Sequence, residues 1–199
     1  MERVTEDHMV AAFLKAEIGS PDFGRDCYLK ELRRLLLGRA LVDTPDLANK
    51  EANAVRKELL GICGRGYPDA YLFQGWPQDV EWWKAEVTPA KLADFKFCND
   101  GAWIRLSGGS RLVRDGVANL DRIQAPDDLN AKIKAVGRRV QEGHPLPELL
   151  LVATAKTAPV VVMEGNKRAA AYVLAGKAAP NPILALAGFS PKLTSWRFL

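Results

Sequence analysis

The chain has 199 residues, with 28 Lys+Arg against 24 Asp+Glu for a formal net charge of +4, and it is 48% hydrophobic and 26% charged. That balance is typical of a globular protein and excludes a disordered tail or a collagen-like repeat; no apolar run approaches the ~18 residues that a membrane helix needs. The odd set Cys27, Cys63 and Cys98 has no C-x-x-C spacing and only His8 and His144 beside it, so neither a disulfide framework nor a zinc cluster is expected.

Acidic Glu6 and Asp7 come at once, so no secretory h-region is expected, and a cytoplasmic location is the default. Residues 5–62 read as helical. Met9, Val10, Phe13, Leu14 and Ile18 recur at helical spacing behind a Thr5 cap, and a turn over 19–22 follows. Tyr28, Leu29, Leu32, Leu35 and Leu36 mark a second helix ending at Gly38. A third has Thr44 as its expected N-cap, Pro45 in the first turn and Gly61 as its stop. Residues 64–69 break the pattern, which predicts a helical subdomain over 1–75.

From residue 76 the character changes to that of a compact domain, 76–199. Trp76, Trp82, Trp83 and Trp103 place four of the five tryptophans within 28 residues. Such density signals a core seam or a domain interface, with a base-stacking platform as the alternative. Thr88 and Pro89 open a short helix; residues 102–106 alternate as a strand and run into Ser107-Gly108-Gly109-Ser110-Arg111. Residues 129–141 read as a helix, 149–153 and 160–163 as two strands, 167–174 as an alanine-rich helix stopped by Gly176, and 183–187 as a further strand. The fold class predicted is α+β, helices first and a mixed sheet after.

The charge is unevenly placed. Residues 165–199 hold five basic side chains (Lys167, Arg168, Lys177, Lys192, Arg197) and no Asp or Glu, whereas residues 1–164 sum to −1. That segment opens with the sequence Glu164-Gly165-Asn166-Lys167-Arg168, where a strand turns into a helix. A helix N-terminus offers backbone N–H groups and the positive end of the dipole to an anion, and two cations there oppose the dipole unless something negative compensates them. A phosphate would do so; solvated surface cations are the alternative.

Two known phosphate motifs fail. The Walker A pattern has no second glycine upstream and Arg168 follows the lysine. The Fic adenylyltransferase motif needs a histidine where Val160 stands. The stretch from helix 129–141 through Gly143-His144-Pro145, the two strands and Glu164-Gly165-Asn166-Lys167-Arg168 into the Ala169-Ala170-Ala171 helix resembles the ParB/sulfiredoxin-like superfamily over about residues 80–190. Residues 1–75 match no pattern.

The resemblance implies that Gly165, Asn166, Lys167 and Arg168 hold the phosphates of a nucleoside di- or triphosphate, ATP above others. It implies that Glu164 binds Mg²⁺ or orients a nucleophile. The turn has no cysteine, which excludes sulfiredoxin chemistry, and 31 residues beyond Arg168 leave no helix-turn-helix to be expected. Phosphoryl transfer to a small molecule, in the manner of the family's free-serine kinases, or nucleotide hydrolysis is then the expected activity. Glu86 is a candidate base or metal ligand, with a solvated side chain as the alternative. Arg105 is a candidate partner across the site, and Ser107, Ser110 and Arg111 a candidate second phosphate nest, with a plain loop as the alternative. Rival readings are a nucleic-acid-binding or nuclease-like protein and a nucleotide-gated regulatory module. A near-neutral body argues against the first.

Overall fold

A computed structural model describes residues 2–20 and 24–199, so part of the turn expected over 19–22 lies outside the described residues. Strand β1 (Arg3–Val4) leads into helix α1 (Glu6–Gly19). Thr5 caps α1, and His8 closes the cap, its Nδ1 lying 3.4 Å from the Thr5 amide and 3.0 Å from the Thr5 hydroxyl. Helices α2 (Arg25–Arg34), α3 (Ala40–Asp43) and α4 (Lys50–Gly61) follow. The expected cap at Thr44 is displaced. Asn49 caps α4 instead, its side chain accepting from the Ala52 amide at 2.9 Å, and the Thr44–Pro45 segment serves as linker. Gly61 ends α4 where expected.

The second half alternates strands and helices: β2 (Glu81–Val87), α5 (Pro89–Leu92), β3 (Lys96–Phe97), α6 (Gly101–Leu106), α7 (Val113–Ala118), α8 (Leu129–Gln141), β4 (Leu149–Ala153), β5 (Val161–Glu164), α9 (Asn166–Ala175) and β6 (Ile183–Phe189). The strand expected over 102–106 is helix α6. Asp100 caps it by accepting from the Ala102 amide, and Trp103 and Leu106, three apart, bury one helical face. That i, i+3 spacing settles an ambiguity which alternation over five residues leaves open. Strand β2, which sequence periodicity does not reveal, pairs antiparallel with β6 along its whole length, Glu81 opposite Phe189 and Val87 opposite Ile183.

These strands make one mixed sheet in the order β1-β2-β6-β4-β5-β3, with β4 parallel to β6 and antiparallel to β5. β4 is buried at every residue, as a central strand covered on both faces requires. β1 pairs Arg3 with Trp83 and Val4 with Trp82, so the N-terminal residues join the same sheet. Met9, Phe13, Leu14 and Leu60 share one hydrophobic core with Trp82, Leu150 and Ala170.

Trp76, Trp82, Trp103 and Trp196 belong to that core, whereas Trp83 is half-buried outside it with Lys156 Nζ 4.3 Å over its ring. Trp76 stacks on Trp82 at 6.2 Å and meets Trp196 edge-on at 5.3 Å, and Trp103 stacks on Phe97 at 4.6 Å. The faces of Trp76, Trp82 and Trp103 are spent on packing, which favours the core-seam reading for these three. α9 packs against α8, where Gly137 leaves room for Leu174.

The structure corrects the expectation about cysteines. Cys27 and Cys63 form a disulfide with their Cα atoms 5.7 Å apart, and only Cys98 remains a free thiol among the described residues. The pairing ties α2 to the segment after α4 across 36 residues of chain. With it, cysteine usage ceases to argue for a reducing compartment.

Candidate functional site around the Gly165 turn

β5 ends at Glu164, Gly165 turns the chain at φ 97°, and α9 starts at once. A side chain at Gly165 would put its Cβ 2.7 Å from both Arg168 Nη2 and Leu149 Cδ2. The space that glycine opens is therefore filled by the guanidinium of its own helix. Arg168 folds back over the turn, donates to the Glu148 carbonyl at 3.2 Å and stands 3.4 Å from the Glu164 carboxylate.

Glu164 is thus the charge that compensates a cation in the first turn of α9. Asn166 is occupied too: its Oδ1 accepts from the Cys98 amide at 3.1 Å, joining the helix start to the end of β3. The first intrahelical bond of α9 runs from the Ala169 amide to the Gly165 carbonyl at 2.8 Å, so the opening amides lie at the turn itself.

Three residues that sequence reasoning missed, Glu17, Tyr28 and Arg65, come from α1, α2 and the turn after α4 to within electrostatic reach of Glu164. Glu17 in α1 is 2% exposed and accepts from Arg65 Nη2 at 2.5 Å. Tyr28 in α2 is fully buried. The charges of Glu164 and Arg168 act on Glu17, and that of Glu164 acts on Arg65. Burial pushes the Glu17 carboxyl above its usual range, against the opposing pull of Arg65, with Glu164 adding to the rise. Burial also works against the Arg65 cation, but the Glu17 hydrogen bond and charge outweigh it and hold the guanidinium pKa up. The Tyr28 phenol is pushed up by burial and by Glu17.

Glu17 Oε2, the Tyr28 hydroxyl and Arg168 Nε are buried and make no hydrogen bond. Buried polar atoms are rarely left so, and each calls for a cause. One sequence signal existed. Glu17 falls on the apolar stripe of α1, four residues after Phe13 and three after Leu14, where a carboxylate is out of place.

Other expected site residues lie elsewhere or have other work. Glu86 is exposed on β2, separated from β5 by β6 and β4, which puts it roughly 14 Å to the side at ~4.8 Å per strand. In the sheet register Lys84, not Glu86, lies in the row of Glu164, through Leu186 and Leu150. Arg105 is exposed at the end of α6.

Ser107 is buried. Its hydroxyl donates to the Trp103 carbonyl at 2.8 Å and accepts from the Arg111 amide at 2.9 Å. The Ser110 hydroxyl donates to the Ser107 carbonyl. Arg111 donates to the Phe97 carbonyl from Nε at 3.0 Å and Nη2 at 2.7 Å, and to the Leu199 carbonyl at 2.8 Å. This loop is a structural clamp on β3 and the C-terminal residues, because its donors are already satisfied.

The basic segment 165–199 is likewise dispersed. Lys167 and Arg168 sit at the turn, Lys177 lies beyond the far end of α9, Lys192 pairs with Asp79 at 2.7 Å, and Arg197 covers the Phe198 ring.

No group of three or more His, Cys, Asp or Glu placed to hold a metal occurs among the described residues, and none of their helices is long and apolar enough to cross a membrane. Comparison with protein families, with curated proteins and with solved structures finds no match for this chain.

Proposed function

We propose that the Gly165 turn is the phosphate-binding point of a nucleotide-dependent enzyme of ParB/sulfiredoxin-like type, acting on a small molecule by phosphoryl transfer or by nucleotide hydrolysis. The observation that supports this best is the buried Arg168–Glu164 pair at the N-terminus of α9, within electrostatic reach of the Glu17–Arg65 pair, with Glu17 Oε2, the Tyr28 hydroxyl and Arg168 Nε buried and unsatisfied. Clusters of perturbed ionisable groups of this kind are characteristic of functional sites.

The residues present suit a nucleotide phosphate. The opening amides of α9, Lys167 and Arg168 supply donors, and the unsatisfied Arg168 Nε has capacity for one more acceptor. A phosphate would exchange with Glu164 as the partner of Arg168 and leave that carboxylate for Mg²⁺, which binds through one or two carboxylates together with phosphate oxygens. Bound Mg²⁺ would neutralise charge on the transferring group. Glu17, held toward its neutral acid by burial, is the group suited to exchange a proton at this place, and the Tyr28 hydroxyl to orient an acceptor.

Titration of the protein with ATP, ADP, CTP and GTP, each with Mg²⁺ and each with and without a thiol reductant, tests the reading by thermal shift and calorimetry. A nucleotide that binds the native state raises the melting temperature. Arg168→Ala combined with Lys167→Ala is expected to abolish the shift. Absence of any shift under both redox conditions, or a shift unaffected by the double substitution, overturns the reading.

A further inference from the structure

The disulfide and the buried cluster are the two ends of one short lever. Cys27 is immediately followed by Tyr28, and Cys63 stands two residues before Arg65. Cys27 is exposed and lines a 390 Å³ groove with Glu31, Arg34, Leu35, Glu58, Leu59 and Ile62, whereas Tyr28 faces inward with no exposure at all. The bond therefore meets solvent on one side and positions site residues on the other.

The attachments it supplements are thin. α2 buries only Tyr28 and Leu32. The segment carrying Arg65 has Cys63 at φ 57°, Gly64 at φ 88° and Gly66 at φ 70°, and a left-handed backbone is unfavourable for a residue with a Cβ such as Cys63. Glu17, Tyr28 and Arg168 are each at least nine-tenths buried, and Arg65 is bonded to Glu17, so nothing as large as a nucleotide meets Glu17 or Tyr28 unless the segments bearing Tyr28 and Arg65 move.

We propose that the Cys27–Cys63 disulfide is a redox latch that holds this site closed, and that a dithiol reductant opens it. The identity of the ligand admitted rests on the reading of the previous subsection; the latch itself does not.

A reductant thiolate attacks the exposed Cys27 Sγ, forms a mixed disulfide and expels the Cys63 thiolate, which takes a proton. The reductant's second thiolate then attacks its own sulfur in the mixed disulfide and releases the Cys27 thiolate, which is protonated in turn. Two electrons pass to the protein, and the reductant leaves as a cyclic disulfide. Without the cross-link Cys63, Gly64 and Gly66 can leave their left-handed conformation, Arg65 withdraws from Glu17, and α2 lifts Tyr28 out of the core.

Hydrogen exchange on the full chain, before and after dithiothreitol, tests the latch, with thiol titration confirming each state. Protection of residues 24–34 and 62–67 is expected to fall roughly tenfold or more on reduction, while β4 and β5 keep theirs. Cys27→Ser with Cys63→Ser should exchange like the reduced protein. Mg²⁺–nucleotide affinity is expected to be roughly tenfold higher for the reduced form, as for a site whose competent state becomes more populated.

Unchanged exchange at 62–67, loss of protection throughout the molecule, a bond that yields only on unfolding, or free thiols at Cys27 and Cys63 in the air-oxidised protein each overturn the proposal. Binding of equal strength in both states does so as well. If no nucleotide binds in either state, the ligand reading fails, and the exchange contrast still decides the latch.

Discussion

Arg168 Nη2 stands 3.4 Å from the Glu164 carboxylate across the Gly165 turn, so the first cation of α9 to be buried is neutralised from the strand that feeds the helix. Both side chains are largely buried, with 11% and 18% exposure, which makes the pair more than a surface ion pair of negligible strength. The arrangement exists because position 165 has no side chain. Gly165→Ala would place a Cβ 2.7 Å from Arg168 Nη2 at φ 97°. A loss of roughly 1–3 kcal/mol is expected, read as a lower urea midpoint at unchanged m-value.

Glu17 gives the protein a specific acid-side pH dependence. Its folded pKa lies above the ordinary carboxyl value of 4.5 because of burial. A carboxyl raised in the folded state stabilises below its unfolded pKa, and that contribution is lost as pH rises through the folded pKa. The stability of the native protein relative to Glu17→Gln is therefore expected to be highest near pH 4 and to decline above 4.5. Urea unfolding of both proteins from pH 4 to 8 measures the gap. A gap that widens with pH would show that ion pairing with Arg65 dominates instead.

Cys98 should be chemically silent. It is buried, and burial pushes its thiol up to about 12, with Asp100 and Glu164 contributing in the same direction. Thiolate is the reactive form, so labelling with iodoacetamide at pH 8 is expected to miss Cys98 in the native protein and to reach it in urea. Peptide mass mapping separates it from the other two cysteines.

Arg111 holds the chain terminus rather than a ligand. Arg111→Ala removes donors from the Phe97 and Leu199 carbonyls and is expected to destabilise by about 1–3 kcal/mol. Limited proteolysis should show residues 196–199 cleaved sooner, with nucleotide affinity changed far less than by loss of Arg168.

Glu86 supplies the contrasting control. Exposed on β2 and three strands from β5, Glu86→Ala should shift stability by no more than about 0.5 kcal/mol and leave nucleotide titrations as they are. A large loss of binding would return Glu86 to the site.

The elements around the turn were legible because their signals are local. Residues 149–153 are continuously apolar and form β4, α8 spans the expected 129–141, and α9 ends before Gly176 as its stop signal requires. Periodicity and caps act within a few residues, so they survive whatever the rest of the chain does.

Where two local signals competed, tertiary packing chose. Residues 102–106 alternate like a strand yet follow the Asp100 cap into a helix, and Asn49 prevails over Thr44 as the start of α4. β2 owes its identity to its ladder with β6, a partner 100 residues away.

The candidate site divides in the same way. The Glu164–Arg168 turn is contiguous in sequence and could be read there as an anion-binding helix start. Its other half could not: Glu17 and Arg65 are 48 residues apart, and they are brought together by the packing of α1, α2 and α4 on the shared core, with Cys27 and Cys63, 36 apart, joined behind them. Local chemistry specifies which groups a turn can offer. Which charges face it, whether Arg168 is already neutralised and how deeply Glu17 is buried depend on contacts between distant segments, and those are set by burial of the common core rather than by any motif.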